Sequence, residues 1–358
     1  LWTTDASKYA LIYEIRHGTE REQRFAPKCC MEWATFSPDG ENIITASSDK
    51  SCRIFDPAKG VNSKGQLKKF RHPEWVRSAV FNSDATLIAT ACDDGNPRVW
   101  DVENPGDINW EIIKYGSDSE RPLNFVAFSD DDEYLVTSHW DRFCRIWDVV
   151  IPDDDAMGPT MTKSNTMGRT MTRSKSMGRT ATGRQAGELV APEREPITEP
   201  VQKFKHPNSV LCARLSPDNS RVCTASGTPR FNGLASVYDL ETGEAVTEVE
   251  QEDCVTSVSF SPDEKLLCTS CKDRTAQLID LNTQLASHVW HHPNFLRWAE
   301  MSPDGRYVVT ACDDGQARIF CTRTKAELVS FGHVDHVTSA TFRFDGTMIC
   351  TASQDGAV

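Results

Sequence analysis

WATFSPDGENIITASSDKSCRIFD, residues 33–56, contains three short apolar runs separated by Ser-Pro-Asp-Gly and by Ser-Ser-Asp-Lys, and it recurs along the chain. Close copies are SAVFNSDATLIATACDDGNPRVWD (78–101), FVAFSDDDEYLVTSHWDRFCRIWD (125–148), SVSFSPDEKLLCTSCKDRTAQLID (257–280) and AEMSPDGRYVVTACDDGQARIF (299–320). A more diverged copy runs from Ala213 to Asp239, and a last one, ATFRFDGTMICTASQDGAV, ends at Val358. The first bulky apolar residue of each copy is Phe36, Phe81, Phe128, Leu215, Phe260, Met301 and Phe342, at separations of 45, 47, 87, 45, 41 and 41. A period of roughly 40–45 residues is that of one supersecondary unit repeated in an array, and the separation of 87 marks an insertion.

Each copy reads as short strands. Val76, Ser78 and Val80 alternate with Arg77, Ala79 and Phe81, the period of two that a strand requires. Ser-Pro-Asp-Gly then supplies residues that preset φ or tolerate positive φ. Tyr307 to Ala311 gives a second strand, Asp-Asp-Gly a tight turn, Ala-Arg-Ile-Phe a third strand, and a weaker segment such as Leu67 to Phe70 an outer fourth. Two residues before each bulky position stand Ala34, Ala79, Val126, Ala213, Val258, Ala299 and Ala340, all small, as a crowded inner strand would demand.

These units resemble WD repeats over some 300 of the 358 residues. The third strand ends Trp100-Asp101 and Trp147-Asp148, with Phe55-Asp56, Tyr238-Asp239 and Ile279-Asp280 as variants. Six residues before the Trp-like position stand Asp49, Asp94, Asp141, Asp273 and Asp314, and Asp355 matches in the last copy. Gly332-His333 carries the opening Gly-His, while His72, His206 and His292 are followed by Pro. The resemblance implies an all-β, seven-bladed β-propeller of four-stranded antiparallel blades. It also implies that the His, a Ser or Thr, the Asp and the Trp form a hydrogen-bonded set inside each blade, a structural role that suits buried polar groups. The fourth copy departs most, with Ser226 to Gly233 in place of the Asp turn, and is expected to be held less tightly.

The last copy lacks its third strand, but Ala10 to Ile15 reads as a third strand and Arg21 to Phe25 as a fourth, so a composite blade drawn from both termini would close the ring and remove exposed edges. The competing reading takes residues 1–7 as part of a further, truncated blade. The organisation expected is a first propeller part over 1–150, an insertion over 151–200 and a second propeller part over 201–358. Residues 156–187 contain no acidic residue and six basic ones, Lys163, Arg169, Arg173, Lys175, Arg179 and Arg184, leaving −19 of charge on the remainder of a chain whose net charge is −13. With few aromatic or branched apolar residues, this segment cannot offset its ordering entropy and is expected to be disordered.

The acidic balance argues against a general grip on nucleic acid, which needs a basic surface, and no apolar run reaches the length of a membrane span. Thirteen cysteines without disulfide-framework spacing point to a reducing setting, cytoplasmic or nuclear. Cys268-x-x-Cys271 falls on a strand, where an odd offset sends the side chains to opposite faces, and Cys92, Cys271 and Cys312 occupy the place of Ser47 and Ser353 in sister copies. They read as small buried residues, so no metal and no cofactor is expected. No cluster of catalytic type recurs outside repeat positions, although propeller enzymes carry theirs on loops. The resemblance places partner-binding on the face where the inner strands begin. There the approach segments carry Trp75 and Arg77, Pro122 and Asn124, Phe295 and Arg297, and His336 and Thr338, with Trp140 before the turn Asp141. Aromatic and Arg side chains dominate interface anchors, which makes Trp75, Arg77, Trp140, Phe295, Arg297 and His336 the candidate contacts. The function expected is a non-catalytic scaffold or adaptor for proteins or peptides, a monomeric propeller within a larger assembly; the alternative is a sensory or regulatory propeller of a multidomain signalling protein.

Arg169, Arg173 and Arg179 each stand three residues before a hydroxyl, at Thr172, Ser176 and Thr182, a pattern resembling the preference of basophilic kinases. Phosphorylation would convert a basic tether into a near-neutral or acidic one. Treatment with such a kinase should therefore modify these three positions, and a mass-spectrometric map with residues 160–185 unmodified would refute the reading.

Overall fold

A computed structural model describes residues 10–14, 23–25, 30–59, 65–102, 121–149, 199–228 and 232–354. The described strands belong to one unit drawn from 1–149 and 196–358; residues 150–195 form a second. The expectations for the insertion, for Thr172, Ser176 and Thr182, for Asp355 and for residues 1–7 lie outside the described residues.

The described secondary structure is β apart from a single 3-10 turn at Pro57–Lys59. The chain forms a β-propeller whose sheets are antiparallel meanders, each running from an inner strand outward. The first blade is Met31–Phe36, Ile43–Ser47, Ser51–Phe55 and Gln66–Arg71. Four-stranded blades likewise start from the inner strands Leu123–Phe128, Val210–Leu215, Val255–Phe260 and Leu296–Met301. The last blade in chain order is composite: Val337–Phe342 pairs with Met348–Ser353, which pairs with Ala10–Glu14, which pairs with Gln23–Phe25. Sheets are numbered by inner strand in chain order, so that the sheet starting at Val76 is 2, at Leu123 3, at Val210 4, at Val255 5, at Leu296 6 and the composite one 7. The remaining sheet, Val76–Phe81, Leu87–Cys92 and Arg98–Asp101, has three strands. The expectation of seven four-stranded blades is thus corrected to six, with a seventh sheet of three strands, because the outer strand expected after Asp101 falls on residues 103–120, outside the described ones.

Turn chemistry fixes the register. In every Ser-Pro-Asp-Gly-type turn the fourth residue is left-handed: Gly40, Ala85, Asp132, Asn219, Glu264, Gly305 and Gly346 have φ between 56° and 70°. The Ser hydroxyl donates to the Asp carboxylate two residues on, as at Ser129–Asp131 (2.6 Å), Ser216–Asp218 (2.6 Å) and Ser302–Asp304 (2.6 Å), the local bond that makes these residues turn formers. Alternation along the inner strands is broken once in each. A one-residue irregularity falls between Met31 and Trp33, Val76 and Ser78, Leu123 and Phe125, and at the matching place in the other four. Bulges re-aim a side chain, and the residues they displace are Glu32, Arg77, Asn124, Leu211, Thr256, Arg297 and Thr338.

Neighbouring inner strands approach closely because Ala34, Ala79, Val126, Ala213, Val258, Ala299 and Ala340 are small and fully or almost fully buried. The residue before each reaches the backbone of the next blade: Val126 N–H donates to Ser78 Oγ (3.2 Å), Ala299 N–H to Ser257 Oγ (2.9 Å) and Ala34 N–H to Ser339 Oγ (3.2 Å). The last of these joins the composite blade to the first. Thr338 Oγ1 adds a bond to Met31 O (3.0 Å) and Thr341 Oγ1 one to Ala34 O (3.1 Å). Blades 3, 6 and 1 instead present Phe125, Trp298 and Trp33, which meet on the axis with ring centroids 4.5–5.4 Å apart.

Inside the blades, Thr90 Oγ1 of the three-stranded sheet receives Trp100 Nε1–H (3.1 Å) and contacts His72 Nε2 (2.9 Å). His292 meets Thr310 (3.0 Å) and His333 meets Thr351 (2.9 Å) in the same way. In the third blade His139, which was not anticipated, takes the His place from the second strand, 3.0 Å from Thr137, which also receives Trp147 Nε1–H (2.9 Å). Gln251 does so in the fifth, donating to Thr269 (2.8 Å). The turn aspartates have a partner that the resemblance did not name: Asp49, Asp94, Asp141 and Asp314 are gripped by Arg53, Arg98, Arg145 and Arg318 four residues on. A guanidinium offers a carboxylate two parallel charged bonds where an imidazole offers one. Asp273, with Gln277 at that distance, bonds instead to Thr275 Oγ1 (2.6 Å) and its N–H (2.8 Å). In the fourth blade neither nitrogen of buried His206 has a hydrogen-bond partner among the described residues, and Thr224, whose hydroxyl donates to Ser236 O (3.5 Å), receives no indole N–H because residue 238 is Tyr.

Two outcomes follow. Thr90→Val leaves His72 and Trp100 with buried unpaired atoms and should cost about 2–4 kcal/mol, whereas Thr224→Val should cost under about 1 kcal/mol. Equal shifts of the urea midpoint would contradict this reading of the fourth blade. The second concerns pH. Burial pushes His72, His206 and His292 down to about 4 and His139 to about 3, against about 6.5 unfolded. The folded rings are thus neutral while the unfolded chain takes up protons first, so stability is unaffected above about pH 7 and falls from about pH 6.5 towards 4. At pH 5 each ring costs about 2 kcal/mol; a urea midpoint unchanged between pH 7.5 and 5 would refute the assignment.

Candidate functional site

Each inner strand begins beside the turn that follows its own second strand. Asp93 N–H donates to Trp75 O (2.8 Å), Trp140 N–H to Pro122 O (3.1 Å) and Asp313 N–H to Phe295 O (2.9 Å). This pattern brings Trp75, Trp140 and Phe295 to one face of the propeller, where their side chains remain 44%, 45% and 45% exposed. Rings this large are normally buried in a soluble fold, and their exposure is the informative departure.

The bulged residues surround the axis at this face, and six of the seven, all but Leu211, divide into two kinds. Asn124, Thr256 and Thr338 reach across to the next inner strand, bonding Val210 O (2.7 Å), Leu296 O (3.0 Å) and Met31 O (3.0 Å). They hold the ring. Arg77, Arg297 and Glu32 carry charge instead. Arg77 forks onto Asp93 (2.6 and 2.8 Å) and lies 5.7 Å from the Trp75 ring centroid. Arg297 forks onto Asp313 (2.5 and 3.2 Å), and His336 Nδ1 lies 2.7 Å from Asp313 O. Neither guanidinium is a free cation; each is set in place by a carboxylate of its own blade. Trp140 is likewise oriented, donating Nε1–H to Asn124 Oδ1 (2.6 Å). Burial raises the Glu32 carboxyl, while the Arg77 and Arg297 charges pull it the other way.

The residues sequence reasoning missed lie deeper on the axis. Arg214 is stacked 5.7 Å from the Phe125 centroid and 5.2 Å from that of Trp298, and pairs with Glu300 (2.8 Å). The signal was present in the column three before each bulky residue, which reads Trp33, Ser78, Phe125, Cys212, Ser257, Trp298 and Ser339: three large rings among small residues facing one axis.

Cys268 and Cys271 are free, buried thiols, both raised by burial to about 12, with Cys271 Sγ donating to Asp253 O (3.0 Å). Among the described residues no group of three or more His, Cys, Asp or Glu side chains is placed to hold a metal ion.

A closed array of antiparallel meanders with conformationally fixed loops around its axis defines a repeat-built β-propeller. The family model "WD domain, G-beta repeat" matches residues 28–56, 64–101, 112–148, 243–280, 284–321 and 325–358, more than half of the sequence. The chain therefore belongs to the WD-repeat family; the diverged fourth copy is unmatched. Similar proteins include the serine-threonine kinase receptor-associated protein of Gallus gallus, 25% identical over 68% of this chain and 65% of that protein. The U5 small nuclear ribonucleoprotein 40 kDa protein of Dictyostelium discoideum is 30% identical over 35% of this chain and 32% of its own. Jouberin of Rattus norvegicus is 26% identical over 39% of this chain and 14% of its own. The chain thus spans just under two thirds of the receptor-associated relative and less of the others.

Proposed function

We propose that this protein is a non-catalytic scaffold or adaptor that recognises proteins or peptides with the face on which its inner strands begin. The observation that carries the reading is the trio of half-exposed rings, Trp75, Trp140 and Phe295, held on backbone pinned by turn hydrogen bonds. Rings with few rotamers on a rigid scaffold lose little freedom on binding. Arg77, Arg297 and His336 edge the same surface, each fixed by a neighbour, so partner carboxylates and carbonyls would meet donors already oriented. The names of the relatives, a receptor-associated protein and a ribonucleoprotein component, agree with a role in assemblies. On this reading the three-stranded sheet is completed as a seventh blade, the propeller is a monomer inside a larger assembly in the cytoplasm, and residues 151–200 form a tether that phosphorylation adjusts.

The test replaces rings rather than arginines, because Arg77→Glu would set two carboxylates against each other. A Trp75→Ala, Phe295→Ala chain should keep its urea stability to within about 0.5 kcal/mol yet lose the proteins that the unaltered chain retains in quantitative affinity capture from native extract. An unchanged capture profile would remove this face from the function.

A further inference from the structure

The opposite face carries a cavity. At the end of the inner strands where the Ser-Pro-Asp-Gly turns lie, a space of about 590 Å³ opens around the axis, within the roughly 300–1,000 Å³ of ligand-sized sites. Its lining is mixed: the apolar part is Phe36, Phe81, Phe128 and Phe342 from four different sheets, with the Trp33 and Phe125 rings, and the polar part includes Asn82, Ser83, Asp130 and Asp132. At the rim Phe344 stands 55% exposed.

The charges around this space do not cancel. Arg214 is neutralised by Glu300 and covered by two rings, so its charge is spent inside the wall. Asp132 is also occupied, accepting from Ser83 N–H (2.9 Å) and Ser83 Oγ–H (2.7 Å). Asp130 lines the cavity and has no hydrogen bond or ion pair among the described residues. Partial desolvation against the cavity wall raises its pKa, as do the carboxylates of Asp131, Asp132 and Glu264, while the Arg214 charge draws it down. The same face bears the other turn carboxylates, Asp39, Asp84, Asp218, Asp263, Asp304 and Asp345. The last three pair with Lys265 (3.6 Å), Arg306 (3.7 Å) and Arg343 (3.5 Å), the Arg343 guanidinium also lying 5.8 Å from the Phe344 ring centroid; the carboxylates outnumber these cations. Hydroxyl and backbone donors hold Asp84, Asp218 and Asp263 below the usual carboxylate range, so they stay ionised at neutral pH. A face with one partly apolar, carboxylate-edged cavity at its centre and further carboxylates around it complements a chain with several positive charges and apolar side chains between them, rather than a lone small cation.

We infer that the cavity on the turn face is a second docking site, taking a basic, apolar-interrupted peptide segment of a partner protein, with an Arg or Lys head on Asp130 and apolar side chains against Phe81, Phe128 and Phe344. This site lies at the other end of the axis from Trp75 and Phe295, so the two faces can be occupied by different partners.

The probe is a fluorescein-labelled peptide, Gly-Arg-Leu-Lys-Phe-Arg-Gly, titrated against the full chain by fluorescence anisotropy beside a counterpart with Glu at each basic position. Saturable binding of the basic peptide is expected, with Kd rising about tenfold or more for Asp130→Lys and about fivefold or more for Phe344→Ser. Both positions are exposed, so urea midpoints should hold; Trp75→Ala and Phe295→Ala should leave Kd unchanged. Binding that survives both cavity variants would show attraction to the acidic face at large and overturn the site. So would equal binding of the acidic peptide, sensitivity to the Trp75 and Phe295 variants, or no saturation by about 1 mM peptide, the weak end of specific recognition.

Discussion

Crowding at the axis is the constraint on which the rest of this structure depends. Seven inner strands must converge, and each can do so only if the residue that faces its neighbour is small. Ala34, Ala79, Val126, Ala213, Val258, Ala299 and Ala340 meet that requirement, and their smallness leaves backbone N–H and C=O groups of one blade within reach of the next. Ser78, Ser257 and Ser339 use the opening by bonding across it. Closure of the ring is therefore a hydrogen-bonded event as well as an apolar one, and the join between the two ends of the chain employs the same bond as the joins made by Ser78 and Ser257. Where Trp33, Phe125 and Trp298 replace the small hydroxyl, their rings meet edge-on or tilted at the axis, so large side chains fill there the space that small ones leave.

The polar groups inside the blades follow from the same economy of space. A buried hydroxyl on the second strand can serve one partner from the loop and one from the third strand, and the chain supplies them from whatever lies nearby. His72 comes from the loop, His139 from the second strand itself, and Gln251 from the end of an outer strand. The chemistry tolerated is therefore wider than the sequence pattern, because what is selected is a donor at the right place and not a residue type. Where donor and hydroxyl do not meet, as at His206, a buried imidazole is left without a bond among the described residues, and local stability should fall in that blade.

Much of this was legible before any coordinates. The period, the turn residues, the small inner column and the terminal strands at Ala10–Glu14 and Gln23–Phe25 could all be read, because each depends on a local rule repeated many times. What could not be read depends on relations between repeats. No single copy reveals that Trp33, Phe125 and Trp298, 92 and 173 residues apart, share one axis; only the column across copies hints at it. The Arg partners of the turn aspartates, Arg53, Arg98, Arg145 and Arg318, lie four residues on, a spacing that no rule of strand alternation singles out. The bulges are absent from any alternation rule, since a displaced residue and a regular one look alike in sequence, and they decide which of Arg77, Asn124, Arg297 and Thr338 face outward and which bind the ring.

That last division explains why the two ends of the axis differ chemically although every repeat contributes to both. At the end where strands begin, the bulge frees one side chain per blade, and charged pairs with fixed geometry result: Arg77 with Asp93, Arg297 with Asp313. At the end where strands finish, the turns demand Ser and Asp to bond their own backbone, so carboxylates accumulate there for reasons of folding alone. A surface charge imposed by turn chemistry still acts on whatever approaches. In this chain it surrounds a cavity whose walls include the same bulky apolar residues that define the repeat, so the features that make the fold also give its turn face an electrostatic character opposite to that of a basic ligand.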